Sequence, residues 1–189
     1  MTLSDMIRTR FSVNTFDRTR QVPPDDIIAL LDTAVWAPNH RNTEPWRFIL
    51  LTDEARALYI ETRRRMAVES SPAQDEHSQN LAGDGMVKKL GGVPSFLIIA
   101  MRNSPKPDVR EEDYAATSAL IQNFLLLAHE AGLGAVWKTW KDDPRLRALA
   151  RLENDETVVG VLHVGYPAED APARSRVAAR ERFTHITGQ

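Results

Sequence analysis

With 189 residues, 42% of them hydrophobic, the chain is long enough for one substantial core and short for two, and is read as a single domain over residues 1–189. Lys and Arg number 24 against 26 Asp and Glu, a net charge of -2 that excludes a global basic field drawing the protein onto nucleic acid, so any anion site has to be local. The lack of cysteine excludes disulfides, thiolate nucleophiles, iron–sulfur clusters and Cys-ligated zinc, and leaves redox chemistry to a cofactor.

The opening MTLSDMIRTRFSV has no apolar stretch of signal-peptide length, and no run approaches the roughly 20 apolar residues of a bilayer span, so a cytoplasmic location and no membrane partner are expected. Residues 4–10 predict a short helix capped by Thr2 or Ser4, followed by an extended segment over 10–16. Pro23, Pro24, Asp25 and Asp26 start a second helix, since proline suits its first turn and acids its N-terminal dipole; it is expected to stop at Ala37-Pro38. Segments 46–52, 95–101 and 157–164 have the length and β-branched content of strands in a central sheet, with a shorter one at 135–139. Residues 53–69 and 76–90 read as helices, and 70–73 and 102–109 as loops, the second of them bordering the active site. Residues 111–131 form the most hydrophobic helix; within it 120–128 is apolar on nearly every face and therefore expected to be buried all round, as the core or the dimer helix, and Gly132 and Gly134 end it through positive φ. The charged, arginine-rich tail from Ala168 needs a neighbour to be ordered. Helices interleaved with strands predict an α+β or α/β layered domain.

Three segments carry groups suited to a ligand. Arg10, Ser12 and Asn14 alternate, so an extended backbone points a guanidinium, a hydroxyl and an amide the same way, toward a phosphate or a polar ring edge or simply toward solvent. Residues 37–46, with Asn39, His40 and Asn42, form a polar loop held by proline at each end, which suits ligand positioning and equally a structural turn. Trp36 and Trp46 flank it as core or interface aromatics. Trp137, Lys138, Thr139 and Trp140 offer either a flat wall with a cation or a strand with a snorkelling lysine.

Other chemistry lacks its motifs. Gly91-Gly92-Val93-Pro94 does not have phosphate-loop spacing, no G-x-S-x-G is present, and no two of the 5 histidines have the helical spacing of metal ligands. Asp25, Asp26, Glu111, Glu112 and Asp113 sit where helix starts favour acids, so no acid–base catalyst is assigned.

In order, TRFSVNTF, APNHRNTEPWRF, GAVWKTW and VVGVLHVGYPAE resemble four elements of the nitroreductase family: its R-R-S-x-R start, its A-P-S-x-x-N-x-Q-P-W loop, its G-x-x-W segment and its last core strand with G-x-P. The chain's length and His40 resemble the short, minimal branch. The resemblance implies an α+β sandwich with a mostly antiparallel sheet flanked by helices, in an intertwined homodimer holding FMN at the interface. It also implies ping-pong electron transfer from NAD(P)H to a small acceptor such as a nitroaromatic or quinone. By the same resemblance Arg10 and Ser12 meet the phosphate or ribityl end, Asn14 the pyrimidine, and Trp137, Lys138 and Thr139 the ring. Trp36 and His40 reach the cofactor from the other subunit, Arg176 or Arg174 meets the phosphate, and Phe11, Pro38, Asn39 and Asn42 complete the set. Asn14, Asn39 and Glu44 depart from the family's usual basic residue, serine and glutamine, which keeps open a flavin-binding or sequestering protein without turnover. A specialised dehalogenase or flavin-destroying synthase of the same fold is a further alternative.

Overall fold

The uninterrupted apolar run Ser95–Arg102 forms β2, buried along all but its last residue, and it lies inside a four-stranded sheet of order β1-β2-β4-β3. The others are β1 (Trp46–Leu51), β3 (Gly134–Lys138) and β4 (Glu156–Gly165), and every neighbouring pair is antiparallel. The computed structural model describes residues 2–170 and 175–188. Side chains alternate across the sheet. Leu97, Ile99 and Leu162 face one side, where they meet Ile27, Leu31, Leu120 and Phe124 from α2 (Pro24–Ala34) and α5 (Pro107–Glu130). Phe96, Ile98 and Val161 face the other, against Tyr59, Ile60, Leu90 and Leu146 from α3 (Asp53–Glu69), α4 (Glu76–Leu90) and α6 (Pro144–Leu149). Helices on both faces explain why the central strands read as continuous apolar runs although the sheet is antiparallel.

A bulge breaks the β2–β4 register: Ile99 lies opposite Gly160 and Ala100 opposite Val158, leaving Val159 as the extra residue. The bulge turns Val159 into the same cluster as Leu162.

Several boundaries differ from the sequence reading. The first helix, α1 (Leu3–Thr9), is capped by Thr2 rather than Ser4, in a reciprocal box with Asp5. Helix α2 ends at Ala34, before the expected stop at Ala37-Pro38, because the N–H groups of Trp36 and Ala37 already turn back to Thr33 and Ala34. Helix α5 begins at Pro107, inside the expected loop over 102–109; at the first helical position the missing proline N–H costs nothing. The stretch 120–128 of this helix is not buried all round within one chain, since Gln122 is exposed and Asn123, Leu126 and Leu127 are half-buried. Gly132 has the expected left-handed φ of 72°, whereas Gly134 does not serve that purpose. A Cβ at Gly134 would come within 2.7 Å of the Val13 side chain, so its role is close approach of the N-terminal segment. Helix α6 was not anticipated, although Asp143 caps it and Pro144 opens it.

Candidate functional site

Arg10 closes α1, its N–H bonded to Met6 at 2.9 Å, and the chain then runs out along β3. Ser12 bridges Ala135, the Val13 N–H meets the Ala135 carbonyl at 3.3 Å, and Phe16 bridges Pro167. With Val13 and Phe16 buried, Asn14 is left exposed between them, and Lys138 Nζ donates to its Oδ1 at 2.8 Å. Phe11, Ser12 and Asn14 line a hollow of about 150 Å³ that also takes in the acids Glu169 and Asp170.

Around Lys138 the charge is positive. Its pKa is lowered by burial and then by Lys89 in the last turn of α4, a residue with no ion pair among the described residues. Sequence reasoning missed Lys89, because a lysine in a last helical turn is accounted for by the helix dipole.

His163 reports the same field. It is buried in β4, its ring edge-on to Phe96 at 5.0 Å, and its pKa is pushed down to about 3 by burial and then by Lys138, Arg63 and Lys89. An imidazole ordinarily titrating at 6.5 therefore stays neutral in the fold but charges in the unfolded chain, so stability is complete above 6.5 and falls as pH drops toward 3. Between pH 7 and 5 this costs about 2 kcal/mol. Urea unfolding should show that loss, and His163→Phe should remove most of it; an unchanged slope in the variant would refute the assignment.

Trp137 and Lys138 are neighbours in a strand and so point to opposite faces, which corrects the picture of one flat wall. The Trp137 indole lies over Gly160, where any Cβ would collide with it, and donates Nε1–H to Val159 at the bulge over 3.3 Å. Trp140 turns instead to Asp142, at 3.1 Å, and Thr139 is exposed beyond the strand.

The second expected group lies at the far edge of the sheet. The loop carrying Trp36, Pro38, Asn39, His40 and Asn42 leads into β1, while Arg10 to Asn14 lie along β3, so β4 and β2 stand between the two groups within one chain. Trp36 is 86% exposed, which removes it from the core. The loop itself is braced. Asn39 Oδ1 accepts the Thr43 N–H at 3.1 Å, and the Thr43 hydroxyl sits between it at 2.8 Å and Asp113 Oδ1 at 2.5 Å. Arg41 Nε donates to His40 Nε2 at 3.0 Å, and Arg41, Asn42 and Glu44 hold φ of 57°, 50° and 43°. Asp113 is thus a buried anchor inside α5, not a helix-start acid, because the helix begins about one turn earlier than expected.

Beside this loop a hollow of about 550 Å³ is lined by Trp46, Arg47, Arg102, Asp113 and Glu156. Arg47 Nη1 pairs with the buried Glu156 carboxylate at 2.6 Å and also donates to the Arg151 carbonyl at 3.0 Å. The same Glu156 Oε2 takes the Glu153 N–H at 2.9 Å. Arg176, expected at the phosphate, donates to the neighbouring Ser175 carbonyl at 2.9 Å and has no hydrogen bond to another site residue among the described residues; Arg174 falls outside the described residues. Among the described residues no helix is long and apolar enough to cross a membrane.

The model of the Nitroreductase family matches residues 7–166. The chain belongs to the nitroreductase family. It is 38% identical over 188 residues to the Bacillus subtilis (strain 168) protein named "Putative NAD(P)H nitroreductase YfhC", covering 97% of this chain and 94% of that one. A crystal structure of a nitroreductase-like family protein from Bacillus cereus superposes with a TM-score of 0.85 at 32% identity, covering 100% of this chain and 97% of that chain. A structure of oxidized iodotyrosine deiodinase bound to FMN and 3-iodo-L-tyrosine shares the fold, with a TM-score of 0.74 at 22% identity over 99% of this chain and 100% of that one. The α+β architecture with a central antiparallel sheet, implied by the resemblance, is the one this nitroreductase-family chain adopts.

Proposed function

We propose that this chain is a cytoplasmic, homodimeric FMN-dependent oxidoreductase that passes electrons from NAD(P)H to a small acceptor, such as a nitroaromatic or quinone, by ping-pong exchange. The observation that carries the reading is the cationic edge of the sheet. Lys138 is bonded to a neutral amide rather than an acid, and Lys89 beside it has no ion pair among the described residues, so their charge is left for a ligand. That donor set fits an anionic, hydrogen-bonding group such as a flavin pyrimidine or its phosphate. FMN, when bound, supplies the redox chemistry.

The chain's own residues bind and orient. Arg10 and Ser12 hold the phosphate or ribityl end, Lys138 supplies the charge that Asn14 does not, and Trp137 fixes the strand that presents Lys138. A second copy is needed because Trp36, Pro38, Asn39, His40 and Asn42 lie across the sheet from Arg10 and Lys138. The exposed Trp36 and the exposed tail side chains Val177, Phe183 and Ile186 give that copy apolar surface to cover. No side chain is assigned as a general acid or base.

Two observations favour a second reading, an FMN-binding or sequestering protein without turnover: the neutral Asn14 occupies a lysine donor, and Glu169 and Asp170 share its hollow. The absorbance spectrum separates the readings. A yellow protein with one FMN per chain, bleached by NADH or NADPH under argon, is expected of the reductase. Bound flavin that neither donor reduces selects the binding protein, and a chain that takes up no added FMN overturns both.

A further inference from the structure

Gly91-Gly92-Val93-Pro94 plays no part in the site above, yet two arginines converge on it. Arg56, in the second turn of α3, donates Nε to the Val93 carbonyl at 2.5 Å and Nη2 to the Gly91 carbonyl at 2.7 Å, which locks its guanidinium against the turn. Arg18, just past the buried Phe16, lies over Gly92: a Cβ there would come within 3.1 Å of its Nη2 and 3.2 Å of its Nε, so the bare glycine lets the guanidinium rest on the backbone. Arg18 has no hydrogen bond or ion pair among the described residues, and its charge depresses the Arg56 pKa after burial has done so. The two cations line a hollow of about 380 Å³ with Gln21 and Asp53. The Asp53 carboxylate is the acid there, and it forms an ion pair with neither arginine.

We propose that Arg18 and Arg56 form an oxyanion site on the Gly91-Gly92 turn that takes inorganic phosphate or a phosphomonoester. Like charges held side by side repel, and a dianion between them turns that repulsion into paired, charge-assisted hydrogen bonds. Arg56 is fixed before the ligand arrives, Arg18 is unencumbered, and the volume exceeds what one phosphate fills, leaving room for an ester substituent. The hollow shares no lining residue with the one beside Asn14, and the proposal does not depend on the flavin reading.

Calorimetric titration of the purified protein with inorganic phosphate, then with AMP, tests it. Saturable binding is expected, weakened at least tenfold in Arg18→Ala, a variant that removes no hydrogen bond among the described residues, and changed less than twofold in Arg10→Ala, which removes the guanidinium that the flavin reading gives to a phosphate. Tighter binding of AMP than of phosphate identifies an organic ester as the ligand, and equal binding a free oxyanion. The proposal is overturned if neither ligand binds, if Arg18→Ala binds as the parent does, or if Arg10→Ala rather than Arg18→Ala abolishes binding.

Discussion

Arg47→Ala is expected to lower the free energy of unfolding by about 3 kcal/mol, the low end of the range for removing one partner of a buried ion pair. Glu156 is the buried member, its side chain 3% exposed, while that of Arg47 is 39% exposed and keeps part of its hydration. Without the guanidinium, the carboxylate retains the Glu153 N–H and loses the one cation paired with it among the described residues, inside a turn that it helps to hold. The loss therefore measures a stranded charge more than the worth of the pair. Glu156→Gln in the Arg47→Ala background should recover at least half of it, because an amide carbonyl still accepts from Glu153 and carries no charge to strand. Urea unfolding of the parent, the two single variants and the double variant supplies the coupling energy; a cost for Arg47→Ala below about 0.5 kcal/mol, the level of an ordinary surface substitution, would contradict the account.

Lys138→Met is expected to weaken FMN binding by about 10- to 100-fold, the equivalent of one charge-assisted hydrogen bond. Methionine preserves length and most of the apolar contact, so the change isolates the charge. Asn14 cannot compensate, because its amide has no charge, and its Oδ1 loses a donor at the same time. Lys138→Arg should retain binding within a few fold. Flavin fluorescence titration reads all three proteins, and equal affinity in Lys138→Met would remove Lys138 from the cofactor site while leaving the fold and family untouched.

Local pattern carried much of the architecture. The run from Ser95 to Met101 was legible as a strand of the central sheet, and the bounds of α3 and α4 agree with the reading, the start of α4 marked by the capping Asp75 and that of α3 by the acids Asp53 and Glu54. The start of α5 was misplaced because Pro105 and Pro107 look alike in sequence, while only one of them opens a helix. Of the candidate site, Asn14 with Lys138 was legible as two segments but not as a contact. Asp113 was misread and Lys89, Arg18 and Arg56 were passed over for one physical reason: Thr43 with Asp113, or Arg18 with Gly92, meet through the fold, and periodicity reports only on residues close along the chain.

The loop at the β1 edge holds three non-glycine residues in left-handed backbone within four positions, a conformation that costs of order 1 kcal/mol or more apiece, though least for asparagine. Asn39, Thr43 and the buried Asp113 keep it there. A segment fixed in this way is preorganised: its conformational entropy is lost on folding, so whatever docks against His40 and Trp36 meets a surface already in shape and forfeits less affinity to ordering it. The same rigidity narrows the set of partners, because a loop that cannot relax recognises one contour rather than many.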